Sequence, residues 1–343
     1  MRDLLLSCLM FSLTVSVHAQ NEGIPSWLIP EIGSTNELVL RAGDGYEDVA
    51  SKTHSDLSAT FNSGGEVELF VEYDLVNRQL CGGKLTYRPA DCLTFYAGIM
   101  KNPYIAELSI SPRNLEAVGY SMAASYLGGY GSDLSGISAR GRDIGLLADA
   151  RFFRMDKNFS ILRAQLGVFN GNGFSFRDND SHKDVSGRID LKPAKDWTVS
   201  VGAMYGKYTI NDGRGITYRT TDEMAATASR SRISTALWFD NSKGFLRLEN
   251  VYGKTDGMRS NNISCLLGWW INQHLSPSAR YESFKKDLDD NDSHTSIAAL
   301  CLTYKFNKDI NVRFQFNHKW FSDGSDAMNS VALALNVKLN YKP

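Results

Sequence analysis

Arginine and lysine residues recur along this chain at alternate positions of short segments whose other positions are apolar. Successive side chains of a β-strand point to opposite faces, so such a row places positive charge along one face. Rings of arginine and lysine select anions in water-filled passages, and the arginine fork fits two oxygens of a phosphate. Thirteen residues on these polar faces are our candidates for lining a pore and binding anions: Lys84, Arg88, Arg151, Arg163, Arg188, Lys192, Arg232, Arg247, Arg280, Lys305, Arg313, Lys319 and Lys338.

Acidic side chains share these polar faces, and their number limits the selectivity that we predict. Nine carboxylates lie there in the same register: Glu68, Glu72, Asp74, Asp143, Asp149, Asp190, Asp240, Glu249 and Glu282. The modest basic excess favours a weak preference for anions over strong selectivity. A neutralising ladder is the alternative, because Arg188 with Asp190 and Arg247 with Glu249 could pair across strands. No preference at all also remains open.

Motifs for other chemistry are missing from the sequence. The five histidines after residue 19 are dispersed, and neither GxSxG nor HExxH occurs. The acidic run at residues 287–292 lacks the spacing and the closing glutamate of an EF-hand. The net charge is −1, without a basic cluster for nucleic acid. We therefore expect no enzyme, no cofactor, no metal site and no nucleic-acid partner.

The cysteines show no pattern of pairing or metal binding. Four of them follow residue 19: Cys81, Cys92, Cys265 and Cys301. In the hairpin that we predict, Cys81 and Cys92 do not lie opposite each other. We interpret all four as isolated thiols on strands.

Residues 141–208 show best which elements must position these side chains. Four segments alternate apolar with polar or small residues and are separated by turn-forming residues, which indicates β-strands. A strand of about ten residues, tilted by about 45°, crosses a bilayer. The connections run short, long, short, as in outer-membrane barrels. A soluble β-sandwich, which also alternates, is the alternative on this stretch alone.

Loop lengths along the whole chain decide between these two architectures. Reading the strands in order gives about 16, with short turns at one end and longer connections rich in Gly, Asn, Asp and Ser at the other. In the last strand, residues 329–341, apolar residues are strictly interleaved with small or polar ones, and the strand before it, residues 309–321, also alternates. A sandwich gives no reason for this sorting, whereas a lipid-facing row and a water-facing row explain it. The sequence thus predicts an all-β, antiparallel transmembrane barrel.

Residues 100–140 form the third outside connection, and they are too many for a plain loop. We hypothesise that this segment folds toward the lumen and narrows it. A surface cap or a contact between subunits is the alternative. Five of its residues are our candidates for the narrowest point: Tyr104, Arg113, Tyr126, Tyr130 and Arg140.

The ends of the chain complete the predicted organisation. Residues 1–19 have a basic residue, an apolar run and a small-residue cleavage site, which together indicate a secretory signal peptide. Residues 20–35 show no clear pattern and are expected to be an N-terminal lead. The barrel is predicted over residues 36–343, without a further run of about 18 apolar residues that could form a membrane helix.

Several motifs between residues 92 and 205 resemble the phosphate-selective porin O and P family. They are FYAGIMKNPY at 95–104, LE at 115–116, RDIG at 142–145, QLGVFNGNG at 165–173, DVSGR at 184–188 and KP at 192–193. The resemblance implies a trimeric, 16-stranded outer-membrane barrel, narrowed by inward-folded loops, whose arginines and lysines conduct phosphate or polyphosphate. The chain departs from the family by ending in Tyr-Lys-Pro, without a terminal aromatic residue, and by having few basic residues in the long loop.

Together these observations predict a porin in the outer membrane of a Gram-negative bacterium. Its expected partners are outer-membrane lipid, small hydrophilic or anionic solutes, and copies of itself in a homotrimer. It would pass such solutes by passive diffusion, with a possible preference for anions or phosphate. The alternative is a non-conducting barrel that acts as a scaffold, an adhesin or a partner of a surface complex.

Overall fold

The computed structural model describes residues 29–46, 48–156, 159–174, 181–209 and 227–341. Sixteen strands occur in these ranges: β1 (Glu31–Gly43), β2 (Ala50–Ser63), β3 (Val67–Asp74), β4 (Gln79–Ala90), β5 (Leu93–Lys101), β6 (Arg142–Arg154), β7 (Ser160–Phe169), β8 (Asp184–Ala194), β9 (Trp197–Thr209), β10 (Thr227–Asp240), β11 (Gly244–Thr255), β12 (Met258–Trp269), β13 (Leu275–Lys285), β14 (His294–Lys305), β15 (Ile310–Phe321) and β16 (Met328–Tyr341). One short α-helix, α1 (Met122–Tyr126), and short 3₁₀ turns lie between strands. Among the described residues, no helix has the length and apolar character needed to cross a membrane.

The strands close into one antiparallel barrel. Each strand pairs with its neighbours in sequence, and β1 pairs with β16, with Leu38 opposite Leu335. Closure gives every strand two partners, so no edge is left unpaired in lipid. This confirms the predicted fold class and strand number.

The apolar rows of the strands face outward. Leu333 and Leu335 of β16 are 43% and 40% exposed, whereas Ala332 and Ala334 between them are buried inside the barrel. The outward rows form the apolar surface that a bilayer would cover, and the inward rows carry the charged residues. The alternation predicted for the last two strands is therefore confirmed.

The connections are sorted by end, as predicted, with two differences in detail. The β4–β5 turn lies at Asp91 and Cys92 instead of at Pro89–Ala90, because Pro89 and Ala90 extend β4 past an irregularity in its pairing with β5. The connection between β11 and β12 is also shorter than expected. Only Asp256 and Gly257 form it, both with positive φ angles of 48° and 86°, which suits a tight two-residue hairpin.

Strand β1 begins at Glu31, inside the segment predicted as an N-terminal lead. Its extra residues pair with both neighbouring strands, since Ile32 lies opposite Tyr341 of β16 and Ala59 of β2. The predicted signal segment, residues 1–19, lies outside the described residues.

Candidate functional site

The connection between β5 and β6, residues 102–141, enters the barrel and will be called the inserted loop. Its position is fixed mainly by inward side chains of the wall that bind its backbone. Arg313 of β15 has no exposed surface and donates from Nη1 to the carbonyls of Pro112, Leu115 and Ala117 at 2.9, 2.9 and 2.8 Å. Its other nitrogen, Nη2, contacts Glu37 of β1 at 2.7 Å. The two N–H groups of Nη1 are shared among three carbonyls, so a single arginine ties residues 112–117 of the loop to the wall.

Three more of the predicted pore-lining arginines serve the inserted loop in the same way. Arg188 of β8 donates to the carbonyl of Pro103 at 3.1 Å, and Arg232 of β10 donates to the carbonyl of Leu127 at 3.2 Å. Arg280 of β13 reaches the carbonyl of Gly119 at 3.0 Å. All three side chains are buried. Each of the three thus commits at least one donor to the loop, and Arg232 also donates to the carbonyls of Ser231 and Lys254 in the wall.

Wall carboxylates bind the backbone N–H groups of the same loop. Glu249 of β11 accepts from the amides of Ala106 and Glu107 at 2.7 and 3.0 Å. Glu282 of β13 accepts from the amide of Met122 at 2.5 Å, which satisfies a donor at the first turn of α1. Buried polar groups of the backbone are costly without partners, so these contacts allow the loop to lie inside the barrel.

The inserted loop also has an apolar core against one side of the barrel. Met204 of β9, Val251 of β11 and Phe284 of β13 are buried and point inward, toward loop residues such as Leu127. The wall comes so close that a Cβ on Gly202 would lie 1.9 Å from the carbonyl oxygen of Tyr104. Only glycine fits there. The inward rows of the wall are therefore apolar at these positions, where they pack against apolar residues of the loop.

Two predicted loop tyrosines lie in that core and not at the narrowest point. Tyr104 is buried, and its hydroxyl donates to the carbonyl of Leu127 at 2.5 Å. Burial raises the pKa of the Tyr104 phenol. Tyr126 stacks on Phe284, with ring centroids 5.0 Å apart. Both were expected near the constriction. Tyr126 at the end of α1 packs instead against the apolar side of the wall, and the Leu127 carbonyl holds the hydroxyl of Tyr104 in the same core.

Two of the other three predicted loop residues, Arg113 and Arg140, hold the inserted loop to β2 and β3. Arg113 contacts Asp56 at 2.5 Å, and Arg140 contacts Asp56 at 3.2 Å and also Asp74. The neighbouring Tyr130 lines a cavity of about 200 Å³ together with both arginines. Burial lowers the pKa of Arg140, and the carboxylates of Asp56 and Asp74 raise it by more, so the net shift is upward.

Asp56, Glu72 and Cys81 bring three potential metal ligands within 4.8 Å of one another. Their carboxylates, however, are already paired: Asp56 with two loop arginines, and Glu72 with Arg142 at 2.8 Å. A cation there would have to compete with fixed guanidinium groups. We therefore interpret this cluster as a charge network that seats the loop.

The space left beside the inserted loop is a cavity of about 410 Å³, which we call the eyelet. Its wall belongs to β3–β8, and the loop closes its other side with Asn102, Pro103 and Ser109. Three of the predicted pore-lining residues, Lys84, Arg163 and Arg188, line it. The remaining lining residues are Phe70, Glu72, Tyr96, Ile99, Met100, Lys101, Arg142, Leu147 and Gln165.

Basic residues continue from the eyelet toward the end of the barrel with the short turns. A smaller cavity of about 140 Å³ there is lined by Arg151, Arg163 and Lys192, three of the predicted residues, together with Arg154. Arg163 lines both cavities. The acidic residues Asp156 and Asp190 also line the smaller one. The structure thus brings together, along β6, β7 and β8, basic residues that are distant in sequence.

The remaining predicted residues lie elsewhere in the lumen. Arg88 pairs with Glu68 at 3.0 Å, and Arg247 pairs with Glu116 of the inserted loop at 2.5 Å. The Nζ atoms of two lysines lie over aromatic rings: Lys305 over Trp270 at 4.1 Å, and Lys319 over Phe321 at 4.6 Å. Lys338 is exposed near the end of β16.

The neutralising ladder across strands, the alternative considered from the sequence, is not formed by either of its two pairs. Arg188 and Asp190 are 2.9 Å apart, but they contact each other along β8. Arg247 pairs instead with Glu116 and Asp240, because Glu249 is occupied by the loop backbone.

Comparison with known proteins identifies the architecture. No protein-family model matches the sequence, and no curated protein sequence matches it either. Solved structures do match. An anion-selective porin from Comamonas acidovorans superposes with a TM-score of 0.63 at 10% identity, over 90% of this chain and 98% of that one.

The barrel has the porin fold. A loop-deletion mutant of OmpT, an outer-membrane protein of Vibrio cholerae, matches with a TM-score of 0.63 at 12% identity, over 90% of this chain and 99% of its own. OprB of Pseudomonas putida matches with a TM-score of 0.59 at 11% identity, over 91% and 94% of the two chains. At these identities, the likeness establishes the fold and leaves the solute to be argued from the site.

Sequence reasoning missed two eyelet residues, Lys101 and Arg142, that stand at the ends of β5 and β6. Lys101 donates to the carbonyls of Leu108 and Ile110 at 2.7 and 2.8 Å, which holds the loop entry. Both residues border the long connection, where the alternation of the strands stops. Lys101 lies within the long connection of residues 100–140 and Arg142 closely follows it, and both belong to the motifs at 95–104 and 142–145 that resemble the porin family.

Proposed function

We propose that the chain is an outer-membrane porin of a Gram-negative bacterium that lets small hydrophilic solutes diffuse through the eyelet and prefers anions. The observation that carries this proposal is the charge of the eyelet. Five basic residues line it: Lys84, Lys101, Arg142, Arg163 and Arg188. Glu72, Asp149 and Asp190 pair with three of these, so the five basic and three acidic groups leave an excess of two positive charges.

The inserted loop does not cancel this excess, because its three carboxylates bind partners outside the eyelet. Glu107 accepts from the amide of Ser121 at 2.9 Å, and Glu116 pairs with Arg247 at 2.5 Å. Asp133 accepts from the amides of Gly129 and Ser135 at 2.9 and 2.8 Å. The field across the eyelet is therefore set by the basic wall, which favours anions in a narrow water-filled passage.

A weak preference fits better than tight phosphate selection. Three of the five eyelet cations are already paired with carboxylates, which lowers the potential that an anion meets. The resemblance to the phosphate-selective porin O and P family and the fold shared with an anion-selective porin support the sign of the preference. We also propose a homotrimer in outer-membrane lipid, on the strength of the same family resemblance.

The test is a reversal potential measured across a planar bilayer with a KCl gradient. We expect folded protein to give discrete channels with chloride more permeant than potassium, and Lys84→Gln to reduce that ratio. Lys338→Gln is the matched control, because it removes an inward lysine far from the eyelet. A reversal potential that shows potassium to be more permeant than chloride would contradict the anion preference. Folded protein without any current would favour the scaffold, and turnover of lipid or peptide would favour an enzyme.

A further inference from the structure

Part of the eyelet wall is apolar, although it faces the water-filled side of the barrel. Phe70 of β3, Tyr96 of β5 and Leu147 of β6 all line the cavity. They occupy inward positions, because their sequence neighbours Leu69, Phe95 and Leu146 are exposed on the outside. Inward positions of porin-type barrels are ordinarily polar. These three residues therefore form an apolar strip where the strand alternation alone predicts polar side chains.

Two of the three residues of the strip, Leu147 and Tyr96, are held in place by packing against neighbouring apolar residues. Leu147 packs in a buried cluster with Met100 and Phe169, and Tyr96 packs against the same cluster. A Cβ on Gly145 would lie 2.6 Å from the ring of Phe169, so this packing depends on a glycine in β6. A well-packed apolar surface keeps its shape when a solute passes.

A cation stands directly beside the strip. The Nζ atom of Lys84 lies 4.9 Å from the ring centroid of Tyr96 and 6.0 Å from that of Phe70, which are cation–π distances. Arg163 lines the same cavity, and its pairing with Asp149 at 2.5 Å fixes its position. Positive charge and apolar surface thus lie side by side within a cavity of about 410 Å³, a volume that suits a small organic molecule.

This arrangement distinguishes two kinds of anion. An inorganic anion carries a hydration shell on all sides and gains nothing from an apolar wall, which offers it no hydrogen bonds. An anion with an aryl or alkyl body can place its charge at the lysine and its body on the strip, which removes apolar surface from water.

We propose that the eyelet binds organic anions with a carboxylate and an apolar body in preference to inorganic anions of similar charge. The proposal rests on the anion-preferring channel proposed above and names the class of solute for that same site. If about 60 Å² of a phenyl ring is covered by the strip, benzoate should bind about tenfold more tightly than acetate, which has the same head group without the ring.

The test measures how strongly acetate, benzoate and inorganic phosphate each reduce the chloride current of reconstituted channels. We expect benzoate to halve the current at about one tenth of the acetate concentration. Phosphate should need at least as much as acetate. Equal half-blocking concentrations for benzoate and acetate, or tighter block by phosphate than by benzoate, would overturn the proposal.

Two variants assign the effect to the strip. Leu147→Ser and Phe70→Ser should each bring the benzoate-to-acetate ratio toward one, and either suffices if the other fails to fold. Trp270→Ser is the control, since it removes a lumenal ring that lies outside the eyelet. A ratio that both strip variants leave unchanged would sink the proposal. The KCl reversal potential is recorded on the same channels. If they prefer chloride but benzoate and acetate block them equally well, only this inference is overturned. If they prefer potassium, the proposed function is overturned.

Discussion

Replacing Arg313 by methionine should loosen the inserted loop and widen the channel. The guanidinium group makes three hydrogen bonds to loop carbonyls and one to Glu37. Methionine fills a similar volume without any donor, so Glu37 would be left as a buried carboxylate without its cation. Breaking a buried pair in this way costs about 3–5 kcal/mol. Each 1.4 kcal/mol is a factor of ten, so the population with residues 112–117 released should rise by about two to three and a half orders of magnitude.

Two measurements can detect the release of this segment. Single-channel conductance in planar bilayers should increase and become noisier, because the released segment no longer fills the lumen. Hydrogen exchange of the Val118 amide should accelerate, since that amide donates to Gln315 of β15 at 2.7 Å only while the loop is seated. The other loop anchors remain, so the barrel itself should stay folded.

Lys319→Met is the matched control for this variant. It removes a basic residue from the same strand and the same inward face, and its ammonium group lies over Phe321 and not against the loop. We expect its conductance and the Val118 exchange rate to remain near those of the wild type. An Arg313→Met protein that folds with unchanged conductance and unchanged exchange would refute the assignment of this arginine as a loop anchor.

Three further predictions test other parts of the account. Gly202→Val should raise the conductance, because even a Cβ there would lie 1.9 Å from a loop carbonyl, whereas Ala203→Val on the outward face of the same strand should not. A water-soluble maleimide should label the exposed Cys92 of the folded protein before the buried Cys81, and denaturant should abolish the difference when labelling is followed by mass spectrometry. Raising the pH above about 10, the pKa of a free phenol, should destabilise the seated loop, because burial raises the pKa of Tyr104 and the folded state therefore holds its proton more tightly than the unfolded state does. The loosened loop should raise the conductance at alkaline pH, and Tyr104→Phe should reduce that rise. An identical pH profile of the conductance in both proteins would show that the rise does not originate from Tyr104.

The barrel could be predicted from the sequence because its governing pattern is local. Leu333, Leu335 and the small or polar residues that alternate with them indicate two faces within one strand, and turn lengths order the strands around the closed sheet. Boundaries were less certain, since the ends of β1 and β4 continue past the last clearly alternating residue.

The site could be predicted only in part because it depends on contacts between distant residues. The alternation placed Arg313 and Arg188 on the inward face, but it could not show that a loop some 200 or 85 residues earlier would occupy them. In the same way, Val251 and Phe284 interrupt the polar rows of their strands for a reason that lies in the inserted loop. The sequence predicted the charge of each inward side chain, but it did not predict which residue that side chain would contact.

The path of the ions through the eyelet is tested most directly by a cysteine placed on its wall. In a background with Cys92 replaced by serine, Gln165→Cys puts a thiol in the eyelet, and Ser234→Cys puts one beneath the inserted loop. A negatively charged, water-soluble thiosulfonate should lower the current of the first variant in discrete steps and leave the second unchanged. Block of the second variant with none of the first would show that ions pass on the other side of the loop.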